Sequence, residues 1–304
     1  MLFSVVIPTF NRATLLARTL ELVWAQRTTD FEVIVVDNGS TDGTADYVRE
    51  FGERVKLISQ AKNQGPGGGR NAGARQAQGE YLAFLDDDDW WFPWTLAIFA
   101  KLIQQHQRPA IVGAKLMEFS DEAQLAAVNE TPLQADVFAD YFASHRSGYF
   151  VGAGMSVLRR DAFLKTGGYT DKPINAEDHD LILRMGEARG FVQVTSPITL
   201  GWRRHAGSAT TNLSRSVAGS LHLIEQERNG QYQGGKARCG QRREIITRHV
   251  RPVSLECLRT GATVDGWRLY RATFGWHARL GRWKYLIAYP AMAVLAAFRG
   301  SQTN

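Results

Sequence analysis

Several features that mark specialised proteins are scarce or missing in this sequence of 304 residues. It has only two cysteines, too few to hold a chain of this length together by disulfide bonds, so a reducing cytoplasm is the expected compartment. No glycine period, heptad pattern or biased tract is present, which excludes collagen-like, coiled-coil and low-complexity proteins. With 44% hydrophobic and 22% charged residues, the composition is that of a packed globular protein.

Long apolar runs are also missing. The longest one, 285–298, contains Pro290 and falls short of the roughly 20 residues that a membrane-spanning helix needs. It is long enough, however, to lie in a membrane surface. The first eight residues lack the basic start and the cleavage site of a secretory signal, and we expect a buried strand there.

Charge is spread unevenly along the chain, whose formal net charge is +6. Residues 1–212 carry 21 Lys and Arg against 25 Asp and Glu, whereas residues 213–304 carry 15 against 5. An acidic first part and a basic last part predict a change of domain near residue 212.

Strands and helices alternate over the first hundred residues. We expect buried strands at 3–7, 31–36, 55–58 and 81–85, with helices between them. This alternation predicts βαβ units and an α/β fold with a mainly parallel sheet. Ligands of such sheets bind at the carboxyl ends of the strands. The residues at those ends are Pro8 to Asn11, Asp37 to Ser40, and Asp86 to Asp89.

The run from Asp86 to Asp89 is the strongest chemical signal. Four consecutive carboxylates repel one another unless a cation or solvent relieves them. A hard divalent cation takes oxygen ligands, and Mg²⁺ commonly uses one or two carboxylates together with substrate phosphates. A solvated acidic turn is the alternative, but the preceding hydrophobic strand and the following Trp90 and Trp91 favour a metal site.

Two further elements allow more than one interpretation. Asp37 could accept a hydrogen bond from a nucleobase or a ribose hydroxyl, or it could simply form a turn. The stretch 65–69 is glycine-rich and precedes a helix expected at 70–77. It matches the dinucleotide-binding pattern loosely, but that pattern belongs after the first strand and here follows the third. This position argues against an NAD-binding site. Close backbone approach to a ligand, with Arg70 on a phosphate, fits better, although a flexible turn remains open.

Taken in order, these motifs resemble those of the family 2 glycosyltransferases of the GT-A fold. The resemblance lies in SVVIPTFNR, VIVVDNGSTDGT, NQGPGGGRNAG and GEYLAFLDDDDWWFP, and later in GGY, AEDHDLILR and WRRH. It covers about residues 2–210. It implies a Rossmann-like, mainly parallel central sheet flanked by helices, with a basic helical C-terminal extension.

The resemblance also implies a nucleotide-sugar donor, most often a UDP sugar, and Mn²⁺ or Mg²⁺ as cofactor. The donor-binding residues that it indicates are Pro8, Thr9, Phe10, Asn11, Asp37, Asn38, Gly65, Arg70, Asp86 and Asp87. Asp88 is the expected direct metal ligand, Asp86 lies nearer the ribose and also serves the metal, and His205 completes the coordination. Arg203 and Arg204 could hold the diphosphate or be solvated.

For catalysis the resemblance points to Asp178, with Glu177 beside it, as the base of an inverting transfer. A base must take the proton of the acceptor hydroxyl as its oxygen attacks the anomeric carbon. The alternative for this acidic pair is a helix N-terminal cap, which the same position favours. Arg184, further along the same segment, is expected to be a structural ion-pair partner.

The C-terminal part departs from the processive members of the family. They carry Q-x-x-R-W and several membrane spans, whereas here 279–283 retains only the final Arg-Trp and no span is expected. We therefore expect addition of a single sugar. The resemblance divides the chain into a catalytic domain at 1–212, with a nucleotide-sugar half at 1–115 and an acceptor half at 116–212, and a basic helical region at 213–304.

Aromatic and basic residues alternate in 267–284, just before the apolar run. This pattern is typical of a helix attracted to anionic lipid, although packing on the catalytic domain is an alternative. The membrane interpretation fits a glycan or lipid-linked acceptor in surface polysaccharide assembly, on the inner face of the plasma membrane. No nucleic-acid motif is present, and we expect no such partner.

Two other functions compete with a transferase. One is a nucleotide-sugar-binding protein without catalysis, which the intact acidic motifs and His205 disfavour. The other is a sugar-phosphate nucleotidyltransferase. It would need a glycine-rich loop with Arg and Lys directly after the first strand, and 8–11 does not provide one.

Overall fold

The computed structural model describes residues 1–204 and 212–300, and the chain forms two compact units. The first unit consists of 1–141, 150–171 and 187–206, and the second of 142–149, 172–186 and 207–304. The domain division expected near residue 212 stays a prediction.

The first unit contains two β-sheets. Its strands are β1 Phe3–Thr9, β2 Phe31–Asp37, β3 Lys56–Ser59, β4 Tyr81–Phe84, β5 Trp90–Trp91, β6 Ile111–Gly113, β7 Leu116–Phe119, β8 Gln134–Phe138, β9 Ser156–Arg159, β10 Phe191–Ser196 and β11 Leu200–Arg203. Eight strands form the large sheet in the order β3-β2-β1-β4-β9-β6-β10-β8, and β5, β11 and β7 form the small one. The strands β1 to β4 pair with one another in parallel, as expected. The strand β8 pairs antiparallel with β10, and β9 pairs antiparallel with β4 and β6.

Helices of the first unit cover this sheet with their apolar faces. They are α1 Ala13–Trp24, α2 Thr44–Arg49, α3 Gly65–Gln76, α4 Thr95–Gln105 and α5 Arg160–Lys165. In α1 the residues Leu16, Leu20 and Val23 are buried, as their spacing predicts. The helix between β2 and β3, α2, begins only at Thr44, because Gly43 takes a left-handed conformation just before it.

The glycine-rich stretch 65–69 is not the loop that the sequence predicts, because α3 already begins at Gly65. A Cβ at Gly69 would lie 3.0 Å from Cβ of Pro8, and a Cβ at Gly73 would lie 2.3 Å from Cγ1 of Val6. These glycines therefore let α3 pack closely on β1. The prediction failed because glycine has a low helix propensity, and the sequence alone does not show that tertiary packing requires glycine at these helix positions.

The second unit is helical. Its helices are α6 Glu177–Arg184, α7 Leu213–Arg228, α8 Cys239–Arg259, α9 Thr263–Arg279 and α10 Trp283–Gly300. Tyr270, Tyr285 and Tyr289 form the centre of a small core between α8, α9 and α10, together with Leu258 and Leu286. The expectation of a helical C-terminal region is thus confirmed.

Crossing a bilayer demands both length and apolar composition from a helix. No helix within residues 1–204 and 212–300 meets both requirements.

Candidate functional site

The carboxylates of Asp86 to Asp89, which we call the acidic turn, follow directly after β4. Thr9, the last residue of β1, donates its hydroxyl hydrogen bond to Asp87 at 2.7 Å. Arg12 bridges two neighbours, because its Nη1 lies 2.9 Å from Oδ1 of Asp87 and 2.9 Å from Oδ2 of Asp88. The ends of β1 and β4 are therefore tied together by charge.

A second arginine reaches the acidic turn from α3. Nη2 of Arg70 lies 2.5 Å from Oδ1 of Asp86, and the guanidinium also lies over the ring of Tyr169, 5.3 Å from its centroid. Arg70 is 4% exposed, while the Asp86 side chain is 35% exposed. A buried cation thus holds a carboxylate that solvent or a ligand can reach.

Asp87 and Asp89, the two buried residues of the acidic turn, have carboxyl groups with raised pKa values. Burial raises the pKa of Asp87 to about 6, although hydrogen bonding and charge from Thr9 and Arg12 oppose the shift. Burial and the charges of Asp86 and Asp88 also raise the pKa of Asp89 well above its usual range. A cation would relieve this accumulation of negative charge.

Arg203 and Arg204 are used within the protein. Arg203 donates to the main-chain oxygen of Asp88 at 2.9 Å and to Glu122 at 2.7 Å, and its main-chain N–H donates to Asp89 at 3.1 Å. Arg204 lies 3.8 Å from Glu118. Both arginines therefore have carboxylate partners, and Arg203 fastens the acidic turn to β11.

The ends of β1 and β2 meet at the same edge of the sheet. The main-chain N–H of Asn38 donates to the oxygen of Thr9 at 2.9 Å. Asn11 has a φ of +53° and accepts a hydrogen bond from the main-chain N–H of Thr41 at 2.8 Å. The side chain of Asp37 accepts the main-chain N–H of Ser40 at 2.9 Å. The two predicted groups of donor residues, 8–11 and 37–40, are thus brought together.

Asn38 has spare hydrogen-bonding capacity in this place. It is 3% exposed, and its Oδ1 has no hydrogen-bond partner among the described residues. Its Nδ2 lies 3.5 Å from the main-chain oxygen of Gly65, the first residue of α3. Phe10, which follows Thr9 at the end of β1, is by contrast 41% exposed. A buried amide oxygen without a partner can accept a hydrogen bond from an N–H group of a ligand.

The donor set of the acidic turn fits a hard divalent cation. Asp86 and Asp88 supply carboxylate oxygens, and such sites are usually completed by substrate phosphates and water. Among residues 1–204 and 212–300 there is no group of three acidic, histidine or cysteine side chains arranged to hold a metal. His205, the predicted third ligand, lies outside the described residues.

In the second unit, α6 begins with the predicted catalytic pair. Glu177 is its first residue, and its side chain accepts a hydrogen bond from the main-chain N–H of Ala176, the N-cap residue, at 3.1 Å. Asp178 is the second residue and is half-buried. Both carboxylates therefore stand at the positive end of the helix dipole.

Asp180, one turn further along α6, is held by three donors. Arg184 lies 2.9 Å from Oδ2, while the hydroxyl of Tyr232 and the ring of His222 lie 3.0 and 3.3 Å from Oδ1. Burial opposes ionisation of this 3%-exposed residue, but these partners prevail and lower its pKa. The expectation that Arg184 is a structural ion-pair partner is confirmed.

Two histidine rings form a contact between α6 and α8. The rings of His179 and His249 are 4.0 Å apart, and burial lowers the pKa of His249 to about 4. The pKa of His179 is also well below its usual range, because of burial and the neighbouring ring. Both rings are therefore neutral at ordinary pH and anchor α6 on α8.

Sequence reasoning missed Arg12 and the donors to Asp180. Arg12 precedes the first residue of α1, and its side chain reaches back to the acidic turn. Its place directly after the 8–11 motif, with four carboxylates elsewhere in the sequence, was an available signal. Tyr232 and His222 gave none, because nothing local links them to α6.

Comparison with known proteins gives the family. The family model described as glycosyl transferase family 2 matches residues 4–167, more than half of the chain. This chain belongs to that family. It is therefore a glycosyltransferase acting on nucleotide sugars.

Relatives of this glycosyltransferase differ in how much they share with it. An uncharacterised glycosyltransferase of Haemophilus influenzae is 26% identical over 75% of this chain and 80% of its own length. The GalNAc(5)-diNAcBac-PP-undecaprenol beta-1,3-glucosyltransferase of Campylobacter jejuni is 42% identical, but over 28% of this chain and 29% of its own length.

The GT-A fold is confirmed by a solved structure. Staphylococcus aureus TarS 1–349 in complex with UDP superposes with a TM-score of 0.62, at 20% identity, over 82% of this chain and 72% of that protein. Identity at this level shows the shared fold.

Proposed function

We propose that this glycosyltransferase transfers one sugar from a UDP sugar to an acceptor hydroxyl, with inversion at the anomeric carbon and with Mn²⁺ or Mg²⁺ as cofactor. The observation that carries the proposal is the acidic turn at the carboxyl end of β4, with Arg12 and Arg70 on its carboxylates. Such an arrangement suits a diphosphate and a cation that arrive together.

In this proposal the ends of β1 and β2 bind the nucleoside. Asp37 and Asn38 would recognise the base or the ribose, with Pro8 to Asn11 lining the same place. The unpartnered oxygen of Asn38 supports this role, because a base N–H could satisfy it. Gly65, whose main-chain oxygen faces Asn38, would contribute backbone at this point.

Asp88 and Asp86 would hold the cation, with His205 as the third protein ligand, and Asp86 would also approach the ribose. The bound cation would neutralise negative charge that develops on the departing diphosphate. Arg12 and Arg70 already neutralise the same carboxylates, so they are placed to exchange partners with an incoming diphosphate. Asp87 would take part through Thr9 and Arg12, which its carboxylate holds.

The proposed base is Asp178. The acceptor oxygen forms a new bond to the anomeric carbon while the bond from that carbon to the nucleotide diphosphate breaks, and Asp178 takes the hydroxyl proton. A positioned base of this kind contributes about 10²–10⁴-fold to rate. Glu177, beside it in the first turn of α6, accepts a hydrogen bond from the main-chain N–H of Ala176.

For the acceptor we propose a glycan or lipid-linked glycan in surface polysaccharide assembly, met at the inner face of the plasma membrane. The Campylobacter jejuni relative is named for an undecaprenol diphosphate-linked acceptor, which supports this class. The exposed Trp283 and Ile287 of α10, together with the basic composition of 213–304, support contact with an anionic membrane surface.

Thermal stabilisation by nucleotides tests the donor part of the proposal. Ligands that bind the native state raise the melting temperature, because they increase the free energy of unfolding. The increase is about 2.7 kcal/mol at a hundredfold excess of ligand over Kd. UDP and UDP sugars should stabilise the protein more with Mn²⁺ or Mg²⁺ than with EDTA, and Asp88→Asn should remove the metal-dependent part. Equal stabilisation with and without metal would contradict metal dependence, and stabilisation by GDP or dTDP instead would replace the donor.

A further inference from the structure

A second charged cluster lies in the second unit, apart from the residues given to the donor or the base. Glu244, Arg248 and Arg251 follow one another on α8 at spacings of four and three residues, so they share one face of the helix. Arg282, in the turn between α9 and α10, reaches this face. Its Nη1 donates to the hydroxyl of the buried Thr247 at 2.6 Å, and its Nη2 lies 3.7 Å from Glu244.

Positive charge exceeds negative charge in this cluster. Arg248 donates to the main-chain oxygen of His145 at 2.5 Å, and neither Arg248 nor Arg251 forms an ion pair with a carboxylate of the described residues. Glu244 lies 3.7 Å from Arg282 and 3.7 Å from His145. We call Arg248, Arg251 and Arg282 the arginine triad.

The positive charges of the triad lower the pKa values of groups in and near it. Burial lowers the pKa of Arg282 and, although Glu244 opposes the shift, the charges of Arg251 and Arg248 lower it further. Burial also lowers the pKa of the fully buried His277 to about 4, with Arg282 and Arg251 contributing. Half-buried guanidinium groups that repel one another gain stability when an anion binds between them. Their planar donors suit phosphate oxygens in particular.

The triad stands close to the helix that carries the proposed base. Arg248 is followed by His249, whose ring lies 4.0 Å from that of His179, and His179 follows Asp178. An acceptor whose hydroxyl reaches α6 could therefore place a charged group on the neighbouring face of α8.

An exposed apolar face begins directly after the triad. Trp283, Ile287, Val294 and Leu295 are 57%, 72%, 54% and 59% exposed, and their spacing places them on one side of α10. Their opposite neighbours Tyr285 and Leu286 are buried in the core of the unit. An anion site that borders such a face matches a ligand with a charged head and a hydrocarbon chain.

We propose that the arginine triad binds the diphosphate of a lipid-linked acceptor, and that the exposed face of α10 lies against the hydrocarbon of that lipid. The identity of the ligand as acceptor rests on the proposed function, whereas its binding requires no donor and can be measured alone.

Binding to vesicles tests the triad directly. The probe is phosphatidylcholine vesicles that contain undecaprenyl diphosphate, with the bound fraction of the full-length protein measured by sedimentation. Arg251→Ala should weaken binding by about tenfold, the usual loss for one hydrogen-bonded charge. Arg251→Lys should recover only part of it, because an ammonium lacks the planar fork. The matched control is Arg259→Ala on the same helix, whose guanidinium is 67% exposed and pairs with Glu256.

Further experiments test whether the triad recognises the diphosphate or any anionic lipid, and whether α10 contacts the hydrocarbon. Vesicles in which phosphatidylglycerol supplies the same surface charge should bind Arg251→Ala and Arg259→Ala equally. Ile287→Ser should weaken binding to the undecaprenyl diphosphate vesicles but leave binding of inorganic pyrophosphate unchanged. Unaltered melting temperatures of the variants exclude misfolding.

Two results would overturn the proposal. One is wild-type binding of Arg251→Ala to the undecaprenyl diphosphate vesicles. The other is an equal loss in Arg251→Ala and Arg259→Ala, which would reduce the triad to general attraction by a basic surface. Stabilisation by UDP reports the donor site separately, so its failure in the wild type would refute the proposed donor while the triad could still stand.

Discussion

In the first unit four carboxylates crowd into the acidic turn and are balanced from several segments, by Arg12, Arg70 and the main chain of Arg203. In the second unit the buried carboxylate of Asp180 is held by Arg184, Tyr232 and His222. The acidic turn can bind a cation, because its carboxylates are crowded together. This crowding and burial raise the pKa values of Asp87 and Asp89. The arrangement around Asp180 is complete without a ligand, since the pKa of Asp180 is lowered.

This contrast separates binding from positioning. A ligand site tolerates unsatisfied charge because the ligand satisfies it, whereas a rigid support must satisfy every buried group itself. The second unit contains both kinds, because Asp180 is fully partnered while the arginine triad has an excess of charge. Variants in each class should therefore fail in different ways.

The largest expected effect is on chemistry, in Asp178→Asn. An amide cannot take the acceptor proton, so kcat for sugar transfer should fall about 10³-fold. Stabilisation by UDP with metal should remain, because donor binding is given to the first unit. Asp161→Asn is the matched control, since it removes an exposed carboxylate that pairs with Arg159, and its kcat should equal that of the wild type. A Asp178→Asn variant with wild-type kcat would remove the proposed base.

Next in size is the loss of stability in Asp180→Ala. Removing this carboxylate leaves Arg184, Tyr232 and His222 without their shared partner in a buried place, which costs about 3–5 kcal/mol. Urea unfolding measures the change. Asp46→Ala offers the surface comparison, because its pair with Arg49 is exposed and should contribute about 0–1 kcal/mol. Equal losses in both variants would show that burial makes no difference here.

Acid should weaken the second unit through its buried histidines. The pKa values of His249 and His277 are about 4 in the folded protein and about 6.5 in the unfolded chain. Between these values the unfolded state binds more protons, so stability is full above pH 6.5 and is lost as the pH falls to 4. Each histidine accounts for about 3 kcal/mol at most.

Hydrogen exchange of α8 against pH measures this loss locally. Amide protection there should fall between pH 6.5 and pH 4, and His249→Phe should make the decline shallower. Protection that stays level through this range in the wild type would show that both rings accept a proton without cost.

Much of the fold could be predicted because its signals are local. The strands β1, β2 and β4 are runs of buried apolar residues that end in polar groups, and the predicted bounds differ from the observed ones by one or two residues. The start of α3 could not be predicted in this way. Glycine is unfavourable in a helix by itself, and only the nearness of Pro8 and Val6 explains why it is required there.

The candidate site divides along the same line. The acidic turn and Asp178 stand in short motifs, so the sequence brings them to attention. The partners that set their chemistry come from distant segments: Arg12 lies 75 positions from Asp87, and Tyr232 lies 52 positions from Asp180. Such pairings depend on tertiary structure, and no periodicity or motif encodes them.

The smallest expected effect concerns the helices that support the two kinds of site. Gly73→Ala should destabilise the first unit by about 1–3 kcal/mol, because the new methyl group would lie 2.3 Å from Val6 and must displace it. Gly275→Ala in α9 is the matched helical substitution in the second unit. A Cβ there meets nothing within 4 Å, so the better helix propensity of alanine should stabilise that unit by up to about 1 kcal/mol. Urea midpoints that move in opposite directions would confirm that α3 uses its glycines for contact with the sheet. Midpoints that both rise would mean that β1 can yield to α3, and the close packing beneath the donor residues would then not be required.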